Sequence, residues 1–103
     1  MDRQLMKKTE DLLKMYHALA RGGGSGISRV VVRKLDRALN EMRSDKWYEV
    51  IVGFYFEGLS REALADMLNV SDRTVTRQKN RLIRELTWYM FPDESVESVL
   101  NAS

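Results

Sequence analysis

Residues Arg61 to Leu82 read "REALADMLNVSDRTVTRQKNRL". The apolar positions around the turn are Leu64, Leu68, Val70 and Val75, with the small Ala65 among them. Two helices crossing steeply over the three-residue turn "NVS" need this set. The small residue lets the second helix approach, and the apolar side chains on both sides of the turn form the wedge between the helices. Asn69 stands where such a turn wants a left-handed backbone, which glycine adopts most readily and asparagine next. Ser60 and Ser71 precede the two helices as N-caps. Between Val75 and Leu82 the second helix has no apolar residue. So long a polar face on a small domain asks for a partner.

The pattern is a helix-turn-helix, whose second helix enters the DNA major groove with its N-terminal part. This selects Ser71, Asp72, Arg73, Thr74, Thr76, Arg77 and Asn80. Val75 faces inward, so Asp72, Arg73, Thr76 and Arg77 should be the most outward. Arginine bonds guanine O6 and N7 with two donors, so Arg73 and Arg77 are assigned to base edges. Asp72 either accepts from a cytosine amino group or orients one of these arginines. Lys79, Arg81 and Arg84 are assigned to phosphates, with Ser60 or Arg61 as a further phosphate contact. For Arg81 and Arg84, an ion pair within the helix, with Glu85 close by, is an equal reading. From Ser71 to Met90 the five bases outnumber the acids Asp72 and Glu85. Such a basic stripe is the footprint of a polyanion, and a solvated helix face is its bland alternative.

The remainder of the chain bounds this reading. With 103 residues and 44% hydrophobic content it can build one core, and its net charge of +2 says little by itself. The absence of cysteine removes thiolate chemistry and the common structural zinc sites. His17 has no ligand cluster beside it, and no nucleophile–base pair can be proposed, so neither a cofactor nor catalysis is expected. No apolar run approaches the roughly 20 residues of a membrane span, and the charged N-terminus lacks a signal-peptide core. A cytoplasmic protein with no membrane partner is the expectation.

Helical periodicity throughout predicts an all-α fold of about five helices. An amphipathic helix is expected over 1–20, with Leu5, Leu12, Tyr16 and Leu19 on one face. A flexible Gly/Ser-rich tether follows over 21–27, of natural or engineered origin. The helix-turn-helix domain should span 28–92. Its next helix begins at the cap Ser28 and carries Val31, Leu35, Ala38, Leu39 and Met42. Ser44 should cap a third helix with Asp45 in its first turn, apolar on several faces and therefore central. Gly53 inside it suggests a close helix contact, and Gly58 ends it. Residues 93–103 form an acidic tail, read as disordered or as a short docked turn. Trp88, Tyr89 and Phe91 must bury against the first helices or another chain, which makes a homodimer one reading.

The span Trp47 to Leu86, through "EGLS", "REALADML", "NVSDRTV" and "RLIREL", resembles the fourth region of bacterial sigma factors and the sigma-like regulators. With "KTEDLLKMY", the glycine-rich break and "VVVRKLDRAL", the whole is similar to phage late-gene transcription activators of the RinA and ArpU type. The resemblance implies sequence-specific binding of a double-stranded promoter or operator. It also implies RNA polymerase as a second partner. A small-terminase-like packaging-site binder and a sigma-like adaptor that binds polymerase without DNA remain alternatives. One departure stands out. The family pattern places an apolar residue three or four positions after Val75, where this chain has Gln78 and Lys79. Either the Lys79 stem covers the core, or another element does. The choice between Thr76 and Arg77 as base reader turns on that rotation.

Overall fold

Leu82, Ile83, Leu86 and Met90 recur at helical spacing, and the helix that carries them is the spine of the molecule. This helix, α6, runs from Asp72 to Met90. The computed structural model describes residues 2–21 and 26–102. Before α6 come α1 (Arg3–Lys14), α2 (Tyr16–Arg21), α3 (Gly26–Glu41), α4 (Tyr48–Ile51) and α5 (Arg61–Leu68); α7 (Pro92–Ala102) follows it. A π-helical turn, Val52–Phe56, continues α4. No strand occurs among the described residues, so the all-α expectation holds. Helices α1, α3, α4, α5 and α7 all pack on α6.

Two apolar clusters result. The larger joins Leu13, Leu35, Ala38, Leu39, Met42 and Ile51 to Leu82, Ile83, Leu86 and Met90. The smaller holds Val50, Leu64, Ala65 and Val75. Each fully buried leucine contributes about 2–3 kcal/mol, so the larger cluster carries most of the stability. Trp47 packs against both and bridges them.

Several boundaries differ from the sequence reading. The first helix kinks at Met15, where φ is −90° and ψ is −2°, and α2 then turns onto α3. The Tyr16 hydroxyl donates to Asp36 at 2.6 Å. The buried face of α1 is Leu5, Thr9 and Leu13. Thr9 escaped an apolar pattern because it is polar. Its hydroxyl lies 2.8 Å from that of Thr87 on α6, and each also reaches the carbonyl one turn back on its own helix.

Of the tether expected over 21–27, residues 22–25 lie outside the described residues. Arg21 ends α2, and Gly26 and Ile27 begin α3, so Ser28 is not a cap. Ser44 does not cap the third helix either, which starts at Tyr48. The Asp45 carboxylate instead accepts the Trp47 N–H at 2.8 Å and grips Arg81, which holds the chain in a turn.

The acidic tail is a helix. Pro92 is tolerated at the first position of α7, where no intrahelical N–H is needed, and Asp93 and Glu94 favour the helix dipole. Ser95 is fully buried against α6, with its hydroxyl 3.4 Å from the Thr87 carbonyl. Phe91 packs on the larger core, whereas Trp88 and Tyr89 stay substantially exposed.

Candidate nucleic-acid interface

Local bonds set the crossing of α5 and α6. Ser60 accepts the Ala63 N–H at 3.0 Å and starts α5. Asn69 ends it with φ 56° and ψ 49°. The Val70 N–H then donates to the Ala65 carbonyl at 3.0 Å, and the Asn69 N–H to that of Asp66 at 3.3 Å. This double closure is the Schellman arrangement that a left-handed residue permits. Ser71 accepts the Thr74 N–H at 3.1 Å and starts α6. Behind the turn, a Cβ on Gly53 would lie 2.6 Å from Leu64 Cδ2, so the missing side chain leaves the space that Leu64 of α5 fills against the π-helical turn. Leu59 N–H donates to the Gly53 carbonyl at 2.9 Å while Gly58 takes φ +70°, which closes that turn just before α5.

The outward stripe of α6 comprises Arg73, Arg77, Asn80 and Arg84, all exposed. At 100° per residue these four fall within about 60° of one another. Neither Arg73, Arg77 nor Arg84 forms an ion pair among the described residues. Ser71 and Asp72 are exposed at the start of the same helix. Asp72 makes no ion pair with Arg73 or Arg77, so the orienting role considered for it has no contact behind it. Thr74 is half-buried, and its hydroxyl lies 3.0 Å from that of Ser71. Thr76 is also half-buried and accepts from Arg61 at 3.4 Å. The rotation of the helix is thereby resolved: Arg77 points out, and Thr76 points toward the start of α5.

Lys79 and Arg81 do not join the stripe. The Lys79 ammonium lies 3.6 Å from Glu10 of α1 and 4.6 Å from the centre of the Phe54 ring. Its stem covers the position where the family pattern places an apolar residue. The head turns to α1 rather than to solvent. Glu10 also accepts from the Tyr55 hydroxyl. Partial burial raises the Glu10 pKa, but the Tyr55 bond and the charges of Lys79 and Lys14 outweigh it, and the group stays below its ordinary value. Burial, reinforced by Glu10, drives the Tyr55 hydroxyl far above the usual phenol range.

Arg81 donates to both Asp45 oxygens, at 2.9 and 3.1 Å, to Glu85 at 3.1 Å and to Gln78 at 2.8 Å. Its bond to Asp45 pushes its own pKa up and holds the Asp45 carboxyl below the ordinary range. Gln78 thus serves as an acceptor for Arg81. Lys79 and Arg81, expected at phosphates, are paired with carboxylates here: Glu10 and Asp45 from distant parts of the chain, and Glu85 within α6, the ion pair that was the equal reading for Arg81. Sequence reasoning missed Glu10, Asp45, Tyr55 and Arg61 as partners, because their separations from α6 follow no local period.

This is the helix-turn-helix of a sigma-type transcription regulator, with an exposed arginine stripe leading away from its turn. Residues 24–91 match the ECF sigma factor family, and the chain belongs to that family. No curated protein and no solved structure matches the chain. Helices α1, α2 and α7 lie outside the matched segment.

Proposed function

We propose that the chain is a sequence-specific regulator that binds double-stranded DNA, of the phage late-gene activator type, and acts without a catalytic step of its own. The observation that carries this reading is the unpaired stripe of Arg73, Arg77, Asn80 and Arg84 issuing from a capped helix-turn-helix. Arg73 and Arg77 read guanine edges at the N-terminal end of α6, and Arg84 meets phosphate. Membership of a sigma family supports RNA polymerase as a second partner.

Self-association of two copies is favoured by one feature. Val96, Val99 and Leu100 form an exposed apolar row on α7, and Trp88 and Tyr89 are exposed on α6. Solution mass separates the possibilities. A dimer fits a regulator reading two half-sites, and a ring points to a packaging-site binder.

The test is selection of bound sequences from random duplex DNA, followed by binding at several salt concentrations. A defined motif is expected, with affinity falling steeply as salt rises, at a slope of about −0.9 per phosphate contact. Absence of any salt-dependent DNA affinity, with polymerase binding intact in Arg73→Ala/Arg77→Ala, would sink the proposal in favour of a polymerase adaptor.

A further inference from the structure

Helix α1 lies outside the segment that matches the sigma family, yet it packs directly on the recognition helix. One side of α1 presents Arg3, Lys7 and Glu10 at a helical repeat. With Met6 they form one wall of an open groove of about 440 Å³, whose other wall is Asn80, Ile83 and Arg84 of α6. Asn80 and Arg84 are also the far half of the outward stripe. The groove is therefore continuous with the surface that begins at Arg73.

Charge in this groove is unbalanced. Arg3, Lys7 and Arg84 are exposed, and none has an ion-pair partner among the described residues. The one carboxylate present, Glu10, already faces Lys79 at 3.6 Å and Lys14 at 3.9 Å and accepts the Tyr55 hydroxyl. It is thus compensated and drawn toward the core side. Three like charges around one concavity make a positive potential that attracts an anion, which would offset their mutual repulsion.

Length selects the anion. Arg84 lies about 16 Å along α6 from Arg73, at 1.5 Å per residue. A recognition helix reads bases with its N-terminal residues, so Arg84 lies beyond the base-reading part of α6. At that point the helix meets the bordering phosphates.

We infer that α1 extends the DNA interface beyond the helix-turn-helix, with Arg3 and Lys7 joining Arg84 in a clamp on the duplex backbone that flanks the base-read site. The inference rests on the DNA-binding reading above. It assigns to α1 a contact that raises affinity without reading sequence.

The test uses the full chain and a fluorescent 30-base-pair duplex, with affinity measured across salt concentrations. The variants are Arg3→Gln/Lys7→Gln and a control, Lys8→Gln/Lys34→Gln, that removes the same charge from exposed positions off the groove. The groove variant should flatten the salt slope by about 1.8, or about 0.9 per lost contact. It should weaken binding tens of fold near 0.1 M salt, with thermal stability and the selected motif unchanged. The control should retain most of the slope. Equal losses in the two variants, or a groove variant that keeps the wild-type slope, overturn the inference and leave DNA binding standing. A wild-type chain with no salt-dependent affinity overturns the DNA reading itself, and the clamp with it.

Discussion

On the outward face of α6, Arg73, Arg77 and Arg84 are exposed and meet no carboxylate among the described residues. On its other sides, Lys79 faces Glu10 at 3.6 Å and Arg81 grips Asp45 at 2.9 Å. All five residues are cations within twelve consecutive positions of one helix. Their roles separate by what the fold brings to each. A charge paired at a half-buried seam holds helices together. A charge left unpaired in solvent is available to a partner. A basic run in a sequence is therefore a mixture, and only the partners sort it.

The largest break in this comparison should come from Arg73→Ala/Arg77→Ala. Each arginine lost from a guanine costs about 1–3 kcal/mol of DNA affinity and relaxes one position of the motif. Thermal stability should hold, since neither side chain has an ion-pair partner. A fall in the melting temperature comparable to the loss of binding would place these residues with the structural set instead.

Arg81→Ala should do the opposite. Removing the guanidinium leaves Asp45, Glu85 and Gln78 without their shared donor. Partial exposure screens the pair, so the cost should be about 1–2 kcal/mol, read by chemical denaturation. DNA slope should remain near that of the wild type in samples kept folded. A shallower slope with unchanged stability would return Arg81 to the DNA face.

Acid should separate the two faces without mutation. Glu10 and Asp45 are held below their ordinary values of 4.5 and 3.8. For such depressed carboxyls the stabilisation is fully present above the unfolded values. It is lost as pH falls through the lower folded ones. Melting temperature should thus hold down to about pH 5 and then drop through about pH 4 and below. The combined change Glu10→Gln/Asp45→Asn should lower stability at neutral pH and flatten the acid drop. An unchanged acid profile in that variant would show that these pairs hold nothing.

The smallest effect concerns the turn that places the stripe. Asn69→Gly should be neutral within a few tenths of a kcal/mol, while Asn69→Ala should cost about 1 kcal/mol because φ is positive there. Equal stabilities for the two variants would mean that the left-handed residue is not what holds the turn.

Much of the helix-turn-helix was legible because its determinants are local. Ser60 and Ser71 bond to N–H groups three residues ahead, and the turn at Asn69 closes on the carbonyls three residues behind Asn69 and five behind Val70. The wedge of Leu64, Ala65 and Val75 follows helical spacing. Other elements were hidden for equally physical reasons. Thr9 and Ser95 are buried polar residues that an apolar pattern skips. The start of α4 was misplaced because Asp45 answers to Arg81, 36 positions away. The acidic composition of α7 masked a helix whose inner side docks through Ser95.

From the sequence, then, come an all-helical chain, a capped and correctly turned helix-turn-helix, and a second helix whose front is polar. Those features depend on backbone propensities and on bonds that span a few residues. Tertiary structure alone decided which of the basic residues remain free. Glu10 and Asp45 reach α6 from separate helical and turn segments and neutralise Lys79 and Arg81. The same packing sets Arg3 and Lys7 beside Arg84. Electrostatic pairing depends on distance in space, and for these residues only the folded chain sets that distance.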